Sequence, residues 1–198
     1  MAHRFAELTF TPAVLAAQAR LGSQAARMLA DSRPRGQRLG EDEAAFIAAR
    51  DSFYMATVSE SGWPYVQHRG GPAGFLRVLD EGTLGFADFR GNRQYLSVGN
   101  LSQNDRVCLF LMDYPHRARL KVLGRAERVE DPALLARLSP PDARVEGGFL
   151  IRVEAFDWNC PQHITERYTL AEVEAAVAPL RQRIAELEAA LSAAQASS

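Results

Sequence analysis

The chain has 198 residues, of which 47% are hydrophobic and 24% charged, a composition typical of one globular domain that excludes wholesale disorder. Its 23 Lys and Arg residues against 24 Asp and Glu give a net charge of −1, which argues against a nucleic-acid binder. Two cysteines, Cys108 and Cys160, are too few for a disulfide framework. No apolar run reaches the length of a membrane span, and the N terminus shows no apolar leader, so we expect a soluble, cytoplasmic protein.

The first part of the chain has helical character. Pro12 suits a first helical turn, and the apolar residues after it recur at roughly helical spacing. A polar break at residues 31–37 precedes a second short helix, predicted at residues 41–50. These patterns predict that residues 1–40 form a helical N-terminal arm.

Short runs of strand-forming residues begin at residue 53. Two hairpins are predicted within residues 53–67 and 75–87, because turn residues interrupt each run. Three further strands are predicted at 107–112, 120–129 and 149–156, and the run 107–112 is apolar throughout, which predicts burial on both faces. Helical insertions are predicted at 92–100 and 132–138. About seven strands in a meander favour a closed or nearly closed antiparallel barrel over a parallel α/β sheet.

The C-terminal segment, residues 169–198, carries the clearest periodic pattern. Its apolar residues alternate in spacings of three and four, as in an a/d heptad repeat: Leu170, Val173, Val177, Leu180, Ile184, Leu187 and Leu191. Pro179 lies within the repeat and predicts a kink or a junction. Two interpretations stay open, a helix that packs on a partner subunit and a helix that packs on its own barrel.

The end of the second hairpin carries the strongest indication of ligand binding. The strand is predicted to end near Asp88, and Arg90, Gly91, Asn92 and Arg93 follow. Gly91 permits a tight turn, and Asn92 fits a helix N-cap, so amide groups and the positive end of the helix dipole would face outward. Two arginines add charge-assisted donors, which together predict a phosphate site. The alternative is a surface turn with solvated arginines.

Two further segments are candidates for ligand contacts. Arg69 begins a glycine-rich stretch that either approaches a flat or anionic group or forms a flexible connection. After the last strand, Trp158 offers a ring for stacking and Gln162 an amide for a heterocycle edge. Cys160 and His163 have the spacing of half a zinc site or of a nucleophile–base dyad. Because no second ligand pair or orienting group is near them in sequence, we predict no metal site.

Three motifs follow one another along the chain: Arg-Gly-Gly-Pro at 69–72, Gly-Phe-Ala-Asp-Phe-Arg-Gly-Asn-Arg-Gln at 85–94, and Arg-Leu-Lys-Val-Leu-Gly at 119–124. This series resembles the pyridoxamine 5′-phosphate oxidase-like family of FMN-binding split barrels, over about residues 42–168. The resemblance implies an all-β core with added helices, in which residues 41–168 form an antiparallel split barrel of six to seven strands. It also implies a homodimer with FMN at the subunit interface.

The resemblance also assigns contacts to FMN. It places Arg90, Asn92, Arg93 and Gln94 in the phosphate turn, and Trp158 with Arg167 at a spacing that closes the site in the oxidases. With the residues named above, the candidate cofactor-binding set is Arg69, Asp88, Arg90, Gly91, Asn92, Arg93, Gln94, Arg119, Trp158, Gln162 and Arg167.

The chain differs from the pyridoxamine 5′-phosphate oxidases at motifs that bind phosphate and substrate, so their own activity is not expected of it. The serine and lysine of their phosphate turn are replaced by Asn92 and Gln94, and their C-terminal Arg-x-His pattern is absent. We therefore expect an FMN-dependent oxidoreductase that acts on a small molecule of unknown identity, and no catalytic residue can be named. One alternative is a non-catalytic flavin- or haem-binding carrier or sensor. Another is an assembly or adaptor protein in which the heptad helix is the functional part and the barrel is vestigial.

Overall fold

The structure is a computed structural model that describes residues 3–25, 37–140, 143–158 and 162–196. The strands are β1 (Ser52–Val58), β2 (Pro64–Gly70), β3 (Arg77–Asp80), β4 (Thr83–Phe89), β5 (Arg106–Asp113), β6 (Ala118–Val129) and β7 (Val145–Trp158). The described helices are α1 (Arg4–Thr9), α2 (Pro12–Arg20), α3 (Glu41–Ala48), α4 (Leu96–Gln103), α5 (Pro132–Leu138) and α6 (Leu170–Ala196). One compact unit holds the strands with α1–α5, and a second holds α6 and the turn at residues 114–117.

The seven strands form one antiparallel sheet in the order β2-β1-β5-β6-β7-β4-β3. Phe53 on β1 and Phe86 on β4 stand four strand positions apart in this order, yet their ring centroids are 5.2 Å apart. The sheet therefore curls around its core. Since β2 and β3 remain edges, the sheet does not close on itself, and the predicted antiparallel split barrel is confirmed.

Burial on β5 differs from the prediction. Val107, Leu109 and Leu111 are buried in the core, whereas Cys108 and Met112 are only partly buried. The prediction of burial on both faces is wrong, because a single curled sheet has only one concave face and successive side chains alternate between the two faces. An apolar run alone does not distinguish these cases.

Local capping explains where several helices begin. Thr11 accepts a hydrogen bond from the amide of Val14, which starts α2 at Pro12 as predicted. Asp131 caps α5 in the same way through the amide of Leu134. The predicted break at 31–37 lies, apart from Gln37, outside the described residues, and the domain boundaries after residues 40 and 168 stay predictions.

The second unit is dominated by α6. Thr169 and Glu172 form a reciprocal capping box, in which the Glu172 amide donates to the Thr169 hydroxyl and the Thr169 amide to the Glu172 carboxylate. The helix continues on both sides of Pro179, so the proline marks no junction. None of the helices in the described part of the chain combines the length and apolar character needed to cross a bilayer.

Candidate functional site

A pocket of about 160 Å³ opens between β2, β4, the start of β7 and the start of α4. Its lining includes five members of the predicted set, Arg69, Asp88, Gly91, Asn92 and Arg93. The other lining residues are Gln67, Phe89, Tyr95, Ser97, Val98 and Glu146. The structure thus brings the predicted phosphate turn and the predicted basic residue of β2 to one cavity.

The turn between β4 and α4 contains two residues in the left-handed region. Arg93 has φ 59° and Tyr95 has φ 53°, a conformation that costs a non-glycine residue on the order of 1–3 kcal/mol. Non-glycine residues in this conformation cluster at binding and catalytic sites, where the surrounding structure holds them. The backbone of this turn is therefore consistent with a ligand-binding role.

Helix α4 begins later than predicted. The Asn92 side chain accepts a hydrogen bond from the Gln94 amide at 3.2 Å, so Asn92 stabilises a turn within the loop. The N-cap is Tyr95 and the helix starts at Leu96. The predicted start at residue 92 and the N-cap role of Asn92 are therefore wrong.

The first turn of α4 nevertheless faces the pocket. Its first intrahelical bond runs from the Gly99 amide to the Tyr95 carbonyl, at 2.9 Å, and the preceding amides lack intrahelical partners by helix geometry. Ser97 and Val98 line the pocket, and the Ser97 hydroxyl donates to the Gln67 side chain on β2 at 2.8 Å. Amide donors and the positive end of the helix dipole therefore lie at the pocket, three residues later than the sequence indicated.

A single carboxylate of the pocket lining, that of Glu146, faces two arginines, of which Arg93 lines the pocket and Arg90 lies beside it. Glu146 Oε1 lies 3.7 Å from the Nε atoms of both Arg90 and Arg93. Arg93 Nε donates to the Tyr95 hydroxyl at 3.0 Å, and this hydrogen bond is the main cause that raises the pKa of Arg93 above its ordinary value. Arg93 therefore stays protonated, and the two guanidinium groups exceed the carboxylate by one positive charge.

Arg69 is already paired. Its Nη1 donates to Asp88 Oδ1 at 2.5 Å, and its guanidinium lies over the rings of Phe86 and Phe149 at 5.7 and 5.5 Å. Its Nε is buried and has no hydrogen-bond partner among the described residues. Asp88 neutralises Arg69, so the surplus charge of the pocket comes from Arg90 and Arg93.

Other members of the predicted set lie elsewhere. Trp158 lies 12 positions after Glu146 on β7, which is about 40 Å along an extended strand, and neither Trp158 nor Arg119 lines the pocket. Its indole N–H donates to Glu43 at 2.7 Å, and its ring packs edge-on against Phe46 at 4.7 Å. Arg119 lies near that same end of the strand, because the neighbouring Leu120 pairs with Trp158. Within a single chain, Trp158 and Arg119 therefore do not reach the pocket that Arg93 lines.

Gln162 and Arg167 belong to the second unit, where the Arg167 guanidinium lies over the Tyr114 ring at 4.7 Å. Cys160, and with it the Cys160/His163 pair, falls outside the described residues. Within the described ranges, no three His, Cys, Asp or Glu side chains gather in a group that could hold a metal ion.

Residues 39–154, more than half of the chain, match the family model described as pyridoxamine 5′-phosphate oxidase. The chain belongs to the pyridoxamine 5′-phosphate oxidase family. The resemblance drawn from the sequence motifs is thus confirmed. The matched range contains all seven strands except the last residues of β7, together with the whole pocket.

Solved structures resemble the chain at low sequence identity, and the first of the two described here shares its fold. HupZ of Group A Streptococcus is 15% identical and superposes with a TM-score of 0.51, covering 66% of this chain and 99% of HupZ. A putative pyridoxamine 5′-phosphate oxidase from Lactobacillus delbrueckii is 24% identical with a TM-score of 0.48, covering 61% of this chain and 94% of that one. No curated protein matches the chain.

Proposed function

We propose that this member of the pyridoxamine 5′-phosphate oxidase family binds FMN and acts as a flavin-dependent oxidoreductase. The observation that carries the proposal is the pocket at the β4–α4 turn, which Arg93, Glu146 and the first turn of α4 line and beside which Arg90 faces the same Glu146. A phosphate ester is the ligand that such a combination of guanidinium groups and helix amides suits best.

The charge of the pocket supports this ligand. Arg69 and Asp88 cancel one another, and Arg90 and Arg93 share the single carboxylate of Glu146. Among the described contacts, the terminal nitrogens of Arg90 and Arg93 carry no hydrogen bond, so both can donate to an incoming group. The helix N-terminus adds roughly half a positive charge, which gives a local surplus suited to the FMN phosphate.

The size of the pocket supports a role in binding only part of the proposed cofactor. Its volume of about 160 Å³ is below the roughly 300–1,000 Å³ of a complete small-molecule site. The phosphate fits there, whereas the isoalloxazine ring must lie outside. Trp158, at the far end of β7, and Arg119, beside it on β6, would reach such a ring only from a second copy of the chain. We therefore propose a homodimer with FMN between its subunits.

Within this proposal, the chain binds and orients the cofactor. Arg90 and Arg93 hold the phosphate, and the Ser97–Gln67 hydrogen bond fixes α4 against β2, so that the helix amides keep their direction. FMN, when bound, supplies acceptance and donation of hydride or single electrons, while the protein contributes position and electrostatics. The described pocket offers no side chain that we assign as an acid or base in turnover.

Binding is tested by titrating the purified chain with FMN and with riboflavin, which lacks the phosphate, and following flavin fluorescence. Arg93→Ala should weaken FMN binding by about 10- to 100-fold, the range for loss of a hydrogen bond to a charged group, and leave riboflavin binding unchanged. Arg38→Ala is the matched control, because Arg38 pairs with Glu81 on the exposed surface, outside the pocket. A chain that ignores FMN, or an Arg93→Ala variant that binds FMN normally, overturns the proposal.

Turnover is tested separately from binding. The flavin-loaded protein should oxidise a reduced nicotinamide cofactor, with bleaching and recovery of the flavin absorbance in the presence of oxygen. Binding without any such reduction, by nicotinamide or by other biological donors, would support the alternative of a carrier or sensor.

A further inference from the structure

Helix α6 carries an apolar seam whose side chains are largely exposed. The seam consists of the seven heptad residues Leu170, Val173, Val177, Leu180, Ile184, Leu187 and Leu191. Leu170 is 75% exposed, Leu180 63% and Leu191 61%, and no residue of α6 between Leu170 and Ala196 is buried. Since contiguous exposed apolar surface of this kind marks an interaction site, the seam needs a partner.

The residue types along the seam indicate what that partner is. With Leu170 at position a, the central a positions are Val177 and Ile184, and the central d positions are Leu180 and Leu187. In parallel coiled coils, β-branched residues at a combined with leucine at d favour two strands over three or four. We propose that α6 pairs with α6 of a second copy of this chain in a parallel, in-register coiled coil.

The charged residues beside the seam are compatible with the parallel orientation, and the number of matched seam residues favours it. Arg183 is at position g and Glu188 at the following e position, so in a parallel pair each Arg183 faces the partner's Glu188. An antiparallel pair matches a with d positions, so it leaves either Leu170 or Leu191 without a partner. The register without Leu170 places Arg183 opposite the partner's Arg183, whereas the register without Leu191 places Glu174 opposite the partner's Arg181. Only the parallel, in-register pair matches all seven seam residues and also pairs Arg183 with Glu188.

The position of Pro179 is compatible with this pairing. It falls at position c of the heptad, on the side of the helix away from the seam. Its ring therefore does not enter the interface, and the helix extends beyond it in both directions. The proposal does not depend on a bound flavin, because every residue that carries it lies on α6.

Disulfide trapping in the full-length chain tests the proposal. In a Cys108→Ala/Cys160→Ser background, Leu187→Cys places one thiol at a d position, where two parallel helices bring it next to its counterpart. Gln182→Cys, at the outward f position, is the matched control. In a glutathione redox buffer, Leu187→Cys should form a covalent dimer about tenfold faster than Gln182→Cys, because pairing raises the effective thiol concentration.

This comparison stays informative if the barrel dimerises by itself, since both variants would share that effect. Should Leu187→Cys fail to fold by circular dichroism, Leu180→Cys at the preceding d position takes its place. Cross-linking no faster than that of the control overturns the proposal, as it would for a helix packed on its own barrel. An antiparallel pair gives the same negative result, because it places a d residue opposite an a residue.

The charge pairing is tested by reversal in the Leu187→Cys background. Arg183→Glu should slow cross-linking about fivefold, and adding Glu188→Arg should restore the rate, since the pair is then reversed rather than lost. Arg183 also pairs with Glu186 in its own helix at 3.0 Å, and this contact is lost in both variants. If the double variant cross-linked as slowly as Arg183→Glu alone, the slower rate would come from losing the Arg183–Glu186 contact within one helix. That result would overturn the assigned pairing of Arg183 with Glu188.

Discussion

Arg69 and Asp88 join the two sides of the open barrel. Arg69 lies on the edge strand β2 and Asp88 on β4, five strand positions away in the sheet, yet their side chains meet at 2.5 Å. The side chains are only 13% and 10% exposed, and the guanidinium covers the core rings of Phe86 and Phe149. The ion pair therefore links the edge strand β2 to β4 across the opening of the sheet, and both residues line the proposed phosphate pocket.

Asp88→Asn should destabilise the fold by about 3–5 kcal/mol, because it leaves the buried Arg69 charge without a carboxylate. Urea unfolding followed by circular dichroism measures this loss. Replacing both residues, in Arg69→Met/Asp88→Leu, should cost less than Asp88→Asn alone, since no unpaired charge then remains. Glu81→Gln, which removes the exposed Arg38–Glu81 pair, should change stability by about 1 kcal/mol or less. An Asp88→Asn variant no weaker than Glu81→Gln would contradict the bridging role.

The sequence predicts those parts of the fold that depend on local patterns. Helix α5 occupies the predicted residues, because Asp131 and Pro132 define its start through capping and proline geometry. The strand meander follows from turn residues between short apolar runs. The helix after β4 was misplaced because Asn92, a good N-cap by type, is occupied by the Gln94 amide, and residue type alone does not show which amide an Asn will bind.

The site is predicted only where it is continuous in sequence. Gly91, Asn92 and Arg93 are neighbours in one turn, and that turn lines the pocket. Glu146 was missed, because its strand was predicted to begin at 149, after the two glycines Gly147 and Gly148, which are weak strand formers. Gln67 and Ser97 were missed for a related reason, since their contact joins residues 30 positions apart.

Glu146→Gln should tighten FMN binding by roughly two- to fivefold, the range of one exposed charge pair. The carboxylate lies 3.7 Å from both Arg90 and Arg93, so it competes with a phosphate for the same positive charge. This change in FMN affinity is opposite in sign to that of Arg93→Ala. Flavin fluorescence titration measures it, and a second, higher salt concentration should reduce it, because salt screens the charges. Weaker binding by Glu146→Gln would show instead that the carboxylate is needed to position the arginines.

Two glycine substitutions should shift stability in opposite directions. Gly99 lies inside α4, and a Cβ added there would have no atom within 4 Å, so Gly99→Ala should stabilise by about 0.5–1 kcal/mol. At Gly124, a Cβ would lie 2.6 Å from the Arg152 carbonyl oxygen and 2.7 Å from Ile151 Cγ2. Because backbone on β7 must then move, Gly124→Ala should cost roughly 1–3 kcal/mol. Thermal unfolding of both variants checks this, and equal melting temperatures would refute the packing described at β6 and β7.

Cys108 should react slowly with alkylating agents. Burial raises the pKa of its thiol, and the positive charge of Lys121 only partly offsets this effect. Because the thiolate is the reactive form, a raised pKa leaves the thiol protonated near neutral pH, and the rate should keep rising with pH beyond the ordinary cysteine range. Iodoacetamide labelling of a Cys160→Ser variant, followed by mass spectrometry between pH 7 and about 10, isolates this one thiol.

Lys121→Met should slow the labelling of Cys108 further, because it removes the charge that favours the thiolate. The urea-unfolded protein is the reference, since both burial and the nearby charge are lost there and the ordinary titration should return. The labelling rate of the Cys108 thiol could reach its maximum at the same pH in the native and in the unfolded protein. In that case, burial on the outer face of β5 would not control the reactivity of the thiol. If Lys121→Met left the profile unchanged, the influence of Lys121 would be refuted while that of burial stood.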